Sequence, residues 1–407
     1  MIKLDRQIYD NEIKSEYIEH CINCIKNNYK NNNEFYASEN ELFKGKITRK
    51  ILFCESDGKL SEEKIKAILL MDFNEDDLED SDLDNYFKTG LLICRLRLLI
   101  NNLNFKSKKK SEYQSRNKLI VECINKYKNK WIIDFFPEYF FNKSESNKYL
   151  NKNITKKYIN EQLENIEKDY KKLTLIGYLI NKEKHIFDYS WINDKSSMRD
   201  KLLASTNISV CPYCNRQFVS KFKINNNNYK STATIDHFYP KSKFPLFALS
   251  LYNFIPACHI CNEILKKQDV KKIMYPFKQG YENNAHFRIK EYKDLDALLG
   301  KNQNFELFVK VDENQEEIKN SIDLFKTNNI YECHKSYVQS IINKHHVYSE
   351  KYKDMLRNDL KEIGLNYSET GLNAFLYNLD PDDEEQTNVI LGRLTNDFLE
   401  MINENKI

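Results

Sequence analysis

Four cysteines, a histidine and a set of aspartate and asparagine side chains crowd into one short stretch of this chain. CPYC occupies 211–214, IDHFYPKS 235–242 and YNFIPACHICNEILKK 252–267. Two C-x2-C pairs, Cys211/Cys214 and Cys258/Cys261, bracket the Asp236-His237 dipeptide, and Asn262 follows the last cysteine directly. A C-x2-C turn presents two thiolates to one ion. Two such turns within about fifty residues complete the tetrahedral four-sulfur shell of a structural zinc ion. Pro212 inside the first pair suits a tight knuckle, and Pro256 precedes the second pair where a helix opens. His259 is a rival ligand inside the second pair, but four cysteines already fill the shell.

The second chemistry belongs to the residues between the pairs. STATID at 231–236 reads as a strand that delivers Asp236 and His237 at its end, where Pro240 and Pro245 break the extended chain. Hydrolysis of a phosphodiester needs an activated water and a cation near the leaving oxygen. A histidine, titrating near neutrality, suits the role of general base, so His237 is the candidate. A carboxylate with an amide oxygen is a hard-oxygen pair suited to Mg²⁺, and Asp236 and Asn262 supply one.

The pattern C-x2-C, DH, N, C-x2-C-N resembles the zinc-containing HNH endonucleases, whose core is a ββα-metal fold. The resemblance covers about 205–285. It implies that His237 is the general base, that Asp236 and Asn262 bind a catalytic Mg²⁺ or Mn²⁺, and that Asn253 orients the histidine and its loop. The DH…N…N version also resembles the HNH domain of RNA-guided CRISPR nucleases. Many HNH enzymes carry histidine where this chain has Asn262, and the weaker amide ligand favours Mg²⁺ over a softer metal. Within the class, DHFYPKSKFPLFALSLYNFIPACHICN is most similar to HNH proteins of bacterial antiphage systems, the Septu-type nuclease subunit and retron-associated effectors. That similarity implies an ABC/SMC-like ATPase as partner.

Charge points the same way. The whole chain carries only +3, but 211–272 holds ten lysines and arginines against three carboxylates, a local +7. Backbone phosphates are the natural partner of such a surface. Lys241 and Lys266, beside the DH and CN motifs, are the candidate phosphate contacts. The leading expectation is therefore a metal-dependent endonuclease acting on DNA in antiphage defence. An RNA-cleaving HNH toxin and a non-catalytic zinc module that binds nucleic acid are the alternatives; binding alone would require none of Asp236, His237 and Asn262.

The elements that must hold this site are mostly helical. Of 407 residues, 41% are hydrophobic and 30% charged, with only 9 glycines and 7 prolines. That balance suits a helix-rich folded protein and not a disordered one. The expected fold is α+β, with a zinc-bound ββα-metal module at 206–285 between a helical region at 1–205 and short strands plus helices at 286–407. Helices are expected over Glu12–Lys30, from Ser61 as N-cap, over Asp84–Leu103 and Ser111–Phe135, and along the Ile159, Leu163, Ile166, Tyr170, Leu173 stripe. After the module, Phe287–Ile289, Phe305–Val311 and Ile318–Phe325 read as strands, followed by long helices over 330–360 and 388–401. The acidic run Glu75–Asp84 reads as an exposed loop. The N-terminal sequence lacks the apolar run of a signal peptide, and GLLICRLRLLI at 90–100 is too short to span a bilayer and carries two arginines. These features place the chain in the reducing cytoplasm, where C-x2-C pairs bind metal in preference to forming disulfides. The CINC pair, Cys21 and Cys24, lies in the first helix and reads as buried thiols.

Overall fold

The computed structural model describes residues 1–31, 41–48, 50–107, 109–141, 154–179, 182–193, 198–225, 228–383, 386 and 388–403. Within them the protein is α+β: helices dominate, and each strand belongs to a two-stranded antiparallel ribbon. One hydrophobic core runs through all three regions of the chain, from Met1 and Leu4 to Phe398 and Ile402.

The N-terminal half consists of α1 (Asn11–Asn31), α2 (Glu62–Leu69), α3 (Asp82–Asn102), α4 (Lys110–Lys126) and α5 (Lys156–Lys172). Ribbons β1–β2 (Glu41–Leu42, Ile47–Thr48) and β3–β4 (Leu175–Leu179, Lys182–His185) join it. Ser61, Ser81 and Thr155 start α2, α3 and α5 by accepting the backbone N–H of Lys64, Asp84 and Tyr158. The expected stripe on α5 is buried from Ile159 to Leu173. Cys21 on α1 is fully buried, and burial pushes its thiol up to about 12. The expected helix from Ser111 to Phe135 is shorter, because α4 stops at Lys126 and a 3₁₀ turn covers Ile133–Phe135. The acidic run is not wholly solvated either: Glu75 is nearly buried and pairs with Arg95 at 3.3 Å.

The middle segment runs α6 (Met198–Ser205), β5 (Lys221–Asn225), β6 (Asn228–Ser231), β7 (Thr234–His237), β8 (Phe254–Ala257) and a π-helical segment, Ile260–Lys266. STATID is therefore not one strand. Ser231 ends β6, the chain bends, and Thr234 begins β7, which pairs with β8 in the register Asp236 to Ile255 and His237 to Phe254.

The last segment contains β9 (Ala285–Tyr292), β10 (Phe305–Val311), α7 (Glu316–Leu324), α8 (Lys335–Val347), α9 (Glu350–Glu362), α10 (Glu369–Tyr377) and α11 (Gly392–Asn403). Two expectations fail here. Ile318–Phe325 is helical, because Ile318, Ser321 and Ile322 bury one helix face behind the acidic first turn of Glu316 and Glu317. The single helix expected over 330–360 is broken. A 3₁₀ turn at Glu332–His334 precedes α8, and Ser349 caps a new helix by accepting the N–H of Tyr352. Among the described residues, no helix is long and apolar enough to cross a membrane.

Candidate functional site

Cys211, Cys214, Cys258 and Cys261 meet as the sequence requires. All four are buried, and their sulfurs lie within 4.8 Å of one another. Sulfurs about 2.3 Å from a common ion would fall inside that spread, so the cluster can hold a metal such as zinc. The Cys258 N–H donates to Cys211 Sγ at 3.3 Å and the Cys261 N–H to Cys258 Sγ at 3.5 Å, the contacts a thiolate needs. Hydrogen bonds from the neighbouring thiols, Cys211 foremost, pull Cys214 and Cys258 below the ordinary thiol range. Burial pushes Cys211 up, and the neighbouring thiols push Cys261 up. Four sulfurs this close cannot all ionise without a cation to balance them.

Distant segments clamp the first knuckle. The Ile2 N–H donates to Pro212 O at 2.9 Å, and Tyr331 Oη to Cys214 O at 2.6 Å. Asn215, in the left-handed conformation at φ 49°, turns the chain out of the knuckle. Its Oδ1 accepts the Arg393 N–H at 3.1 Å near the start of α11, and its Nδ2 reaches Val389 O at 3.0 Å. The cysteine knuckle thus sits where the two ends of the described chain cross.

Asp236 lies inside, 2% exposed, and both of its oxygens are engaged. Lys266 Nζ donates to Oδ1 at 3.0 Å and Tyr213 Oη to Oδ2 at 2.5 Å. Lys266 Nζ also reaches His237 O at 2.9 Å and lies 5.7 Å from the Phe238 ring centroid. Two expectations are corrected by this arrangement. Lys266 is 1% exposed and is not a phosphate contact; a carboxylate this deep needs a compensating charge, and the lysine supplies it. Nor does Asp236 stand open as a ligand for Mg²⁺ or Mn²⁺, since the chain's own ammonium occupies that role. Asn262, in the π-helical segment, ties back to β7 through Nδ2, which donates to Thr234 Oγ1 at 2.9 Å and Ile235 O at 3.3 Å. Strand end and helix are therefore adjacent, as expected, but the Asp236–Asn262 oxygen pair is not assembled as an open cation site.

His237 ends β7 in an aromatic collar, its ring 4.6 Å from that of Tyr189 and 5.2 Å from that of Phe254. Nε2 lies 3.1 Å from Ala248 O. A carbonyl can only accept, so Nε2 carries the hydrogen and Nδ1 keeps the lone pair. Burial pushes the imidazole down to about 3, so it does not titrate near neutrality as expected of a general base; the Ala248 bond opposes this, and Lys241 and Lys266 reinforce it. Asn253, fully buried, fastens the loop that returns Ala248 to the histidine. Its Oδ1 accepts the Tyr239 N–H at 2.8 Å, and its Nδ2 donates to Tyr239 O and Phe247 O, each at 3.0 Å.

The helical N-terminal half grips the same loop. Tyr17 Oη donates to Leu249 O at 2.7 Å, Ser250 Oγ to Ile68 O at 2.6 Å and the Leu246 N–H to Tyr86 Oη at 3.2 Å. At Gly90 on α3, a Cβ would stand 2.6 Å from the Phe244 ring, so only glycine admits the loop this closely. Lys241 is exposed, with Nζ 4.3 Å from the Tyr189 ring centroid, and remains available to a phosphate. His259 also faces solvent, 3.3 Å from Glu263, and takes no part in the sulfur cluster.

Tyr189, Tyr213 and the Ala248 carbonyl are the site groups that sequence reasoning missed. Tyr213 lies within CPYC and could have been noticed there; nothing in the sequence marks Tyr189. A second group, His286, Asp397 and Glu400, also brings ligand-type atoms together. It is built as an ion-pair network, since Arg393 lies 3.1 Å from Asp397 and 3.3 Å from His286. No protein-family model, curated protein or solved structure matches the chain.

Proposed function

We propose that this protein is an HNH-type endonuclease that hydrolyses DNA phosphodiester bonds, working as the nuclease effector of a bacterial antiphage system beside an ATPase partner. The observation that carries this reading is the fixed tautomer of His237. Nε2–H is tied to Ala248 O, so Nδ1 keeps its lone pair at the end of β7.

In this reading Nδ1 accepts a proton from water as the water oxygen bonds to phosphorus and the opposite P–O bond breaks. The Ala248 carbonyl steadies the imidazolium that results, and the leaving alkoxide takes a proton from solvent. Lys241 meets the phosphate at the mouth of the site. Asn253 keeps the returning loop, and with it Ala248, in place. Zinc held by the four cysteines welds β7–β8 and the π-helical segment to the first knuckle. No step is routed through a Mg²⁺ or Mn²⁺ ion at Asp236 and Asn262, because Lys266 and Tyr213 hold both carboxylate oxygens of Asp236.

The test is to incubate purified protein, with and without the product of its neighbouring gene, on DNA and on RNA over a Mg²⁺ and Mn²⁺ titration. Metal-dependent DNA cutting that is lost in His237→Ala supports the reading. Cutting confined to RNA replaces DNA as substrate, and binding without cleavage under any condition leaves a zinc-bound nucleic-acid module.

A further inference from the structure

We propose that the β5–β6 ribbon is a docking arm for an unpaired strand of the DNA on which the neighbouring His237 site acts. The identity of the ligand as DNA rests on the nuclease reading above; the arm itself is argued from its own surface. Phe222 and Tyr229 on the two strands are 50% and 46% exposed, and Phe218 and Ile224 are each 58% exposed. Each of these side chains leaves about half of its surface in solvent.

The ribbon interleaves those rings with cations. Opposed residues share a face, so Phe222 with Lys230 lies on one face of the ribbon and Lys223 with Tyr229 on the other, Lys223 Nζ 5.9 Å from the Tyr229 ring centroid. No aspartate or glutamate occurs anywhere from Cys211 to Ile235. Lys230 is held by Asp200 of α6 at 2.9 Å and Lys221 by Ala204 O at 3.1 Å, which braces the ribbon on that helix. Lys223 has no carboxylate partner among the described residues. Rings flanked by ammonium groups match a strand whose bases offer flat faces and whose backbone offers phosphates. A duplex hides its base faces, and protein interfaces are depleted in lysine. Position supports the same occupant: two residues separate β6 from β7, the strand that ends in His237.

The test uses the full-length His237→Ala protein, titrated by fluorescence anisotropy against labelled oligo(dT) and against a labelled duplex of equal length. In that background F222A/Y229A should weaken oligo(dT) binding roughly tenfold or more and duplex binding far less, with metal content unchanged. Tryptophan at both positions should keep the parental affinity for oligo(dT). Unchanged oligo(dT) affinity in F222A/Y229A overturns the proposal. A parent that does not bind oligo(dT), or an equal loss on strand and duplex, overturns it as well. So does loss of a co-purifying protein with DNA binding intact. The nuclease reading stands or falls separately. A wild-type chain that cuts DNA while F222A/Y229A leaves binding untouched loses only the arm. Ring-dependent strand binding without cleavage under any metal leaves the arm and removes the nuclease.

Discussion

Lys266 Nζ stands 3.0 Å from Asp236 Oδ1, with the two side chains 1% and 2% exposed. The site therefore contains its own internal cation directly behind His237, at the point where the sequence pattern suggests a metal ligand. A pair this dry is held by mutual compensation, and removing one member leaves an unpaired buried charge.

Lys266→Met should consequently destabilise the protein by about 3–5 kcal/mol, and combining it with Asp236→Asn should recover much of that loss. Denaturant titration of the two variants measures both. A Lys266→Met protein as stable as its parent would show that the pair is not closed in solution.

A metal held by the sulfur cluster would couple binding to folding. The parent is expected to carry about one zinc per chain, and Cys211→Ser or Cys261→Ser to lose both the metal and several degrees of Tm. Strong chelators should reproduce the shift in the parent. Elemental analysis beside a melting curve decides the matter, and a metal-free protein with an unaltered Tm would refute it.

His237→Ala and Asn253→Ala should separate chemistry from scaffolding. The first should lower cleavage by about 10²- to 10⁴-fold, with metal content near that of the parent and a smaller loss of stability than the second. The second strips partners from the Tyr239 N–H and from two buried carbonyls, and should cost about 2–4 kcal/mol in stability as well as activity. Melting curves run alongside a cleavage assay distinguish them; equal stability losses would contradict the assignment.

His286 gives stability a pH dependence. Its hydrogen bond to Asp397 raises its pKa above the ordinary 6.5, against partial burial and the nearby Arg393. A raised folded-state pKa means a contribution fully present below 6.5 and lost as pH rises through the folded value. The parent should thus exceed His286→Ala by about 1–2 °C in Tm below pH 6, with the gap closing in alkali. A gap that widens with pH would reverse the assignment.

Much of this molecule is written in local residue patterns. Two C-x2-C spacings predict a four-sulfur cluster, and four buried sulfurs within 4.8 Å of one another are found. Ser61 starts α2, and the Ile159-to-Leu173 stripe faces the core, because capping and helical periodicity depend only on near neighbours. A strand leading into the DH motif is legible in part, since Pro240 and Pro245 interrupt the extended chain after β7.

Other features depend on segments far apart in the chain. An apolar face at Ile318 and Ile322 suits either a strand or a helix until its partners are known, and packing settles it as α7. Tyr189 becomes a wall of the His237 site only because the fold carries it there across the intervening chain. Lys266 looks like a surface phosphate ligand beside a run of lysines, yet the π-helical segment buries its ammonium near the Phe238 ring and against Asp236. The sequence alone determined which chemical groups this protein owns and which lie near one another along the chain. Tertiary structure decided which of them are dry, because burial is a property of what packs above a residue, and a buried charge must take whatever partner the fold brings to it.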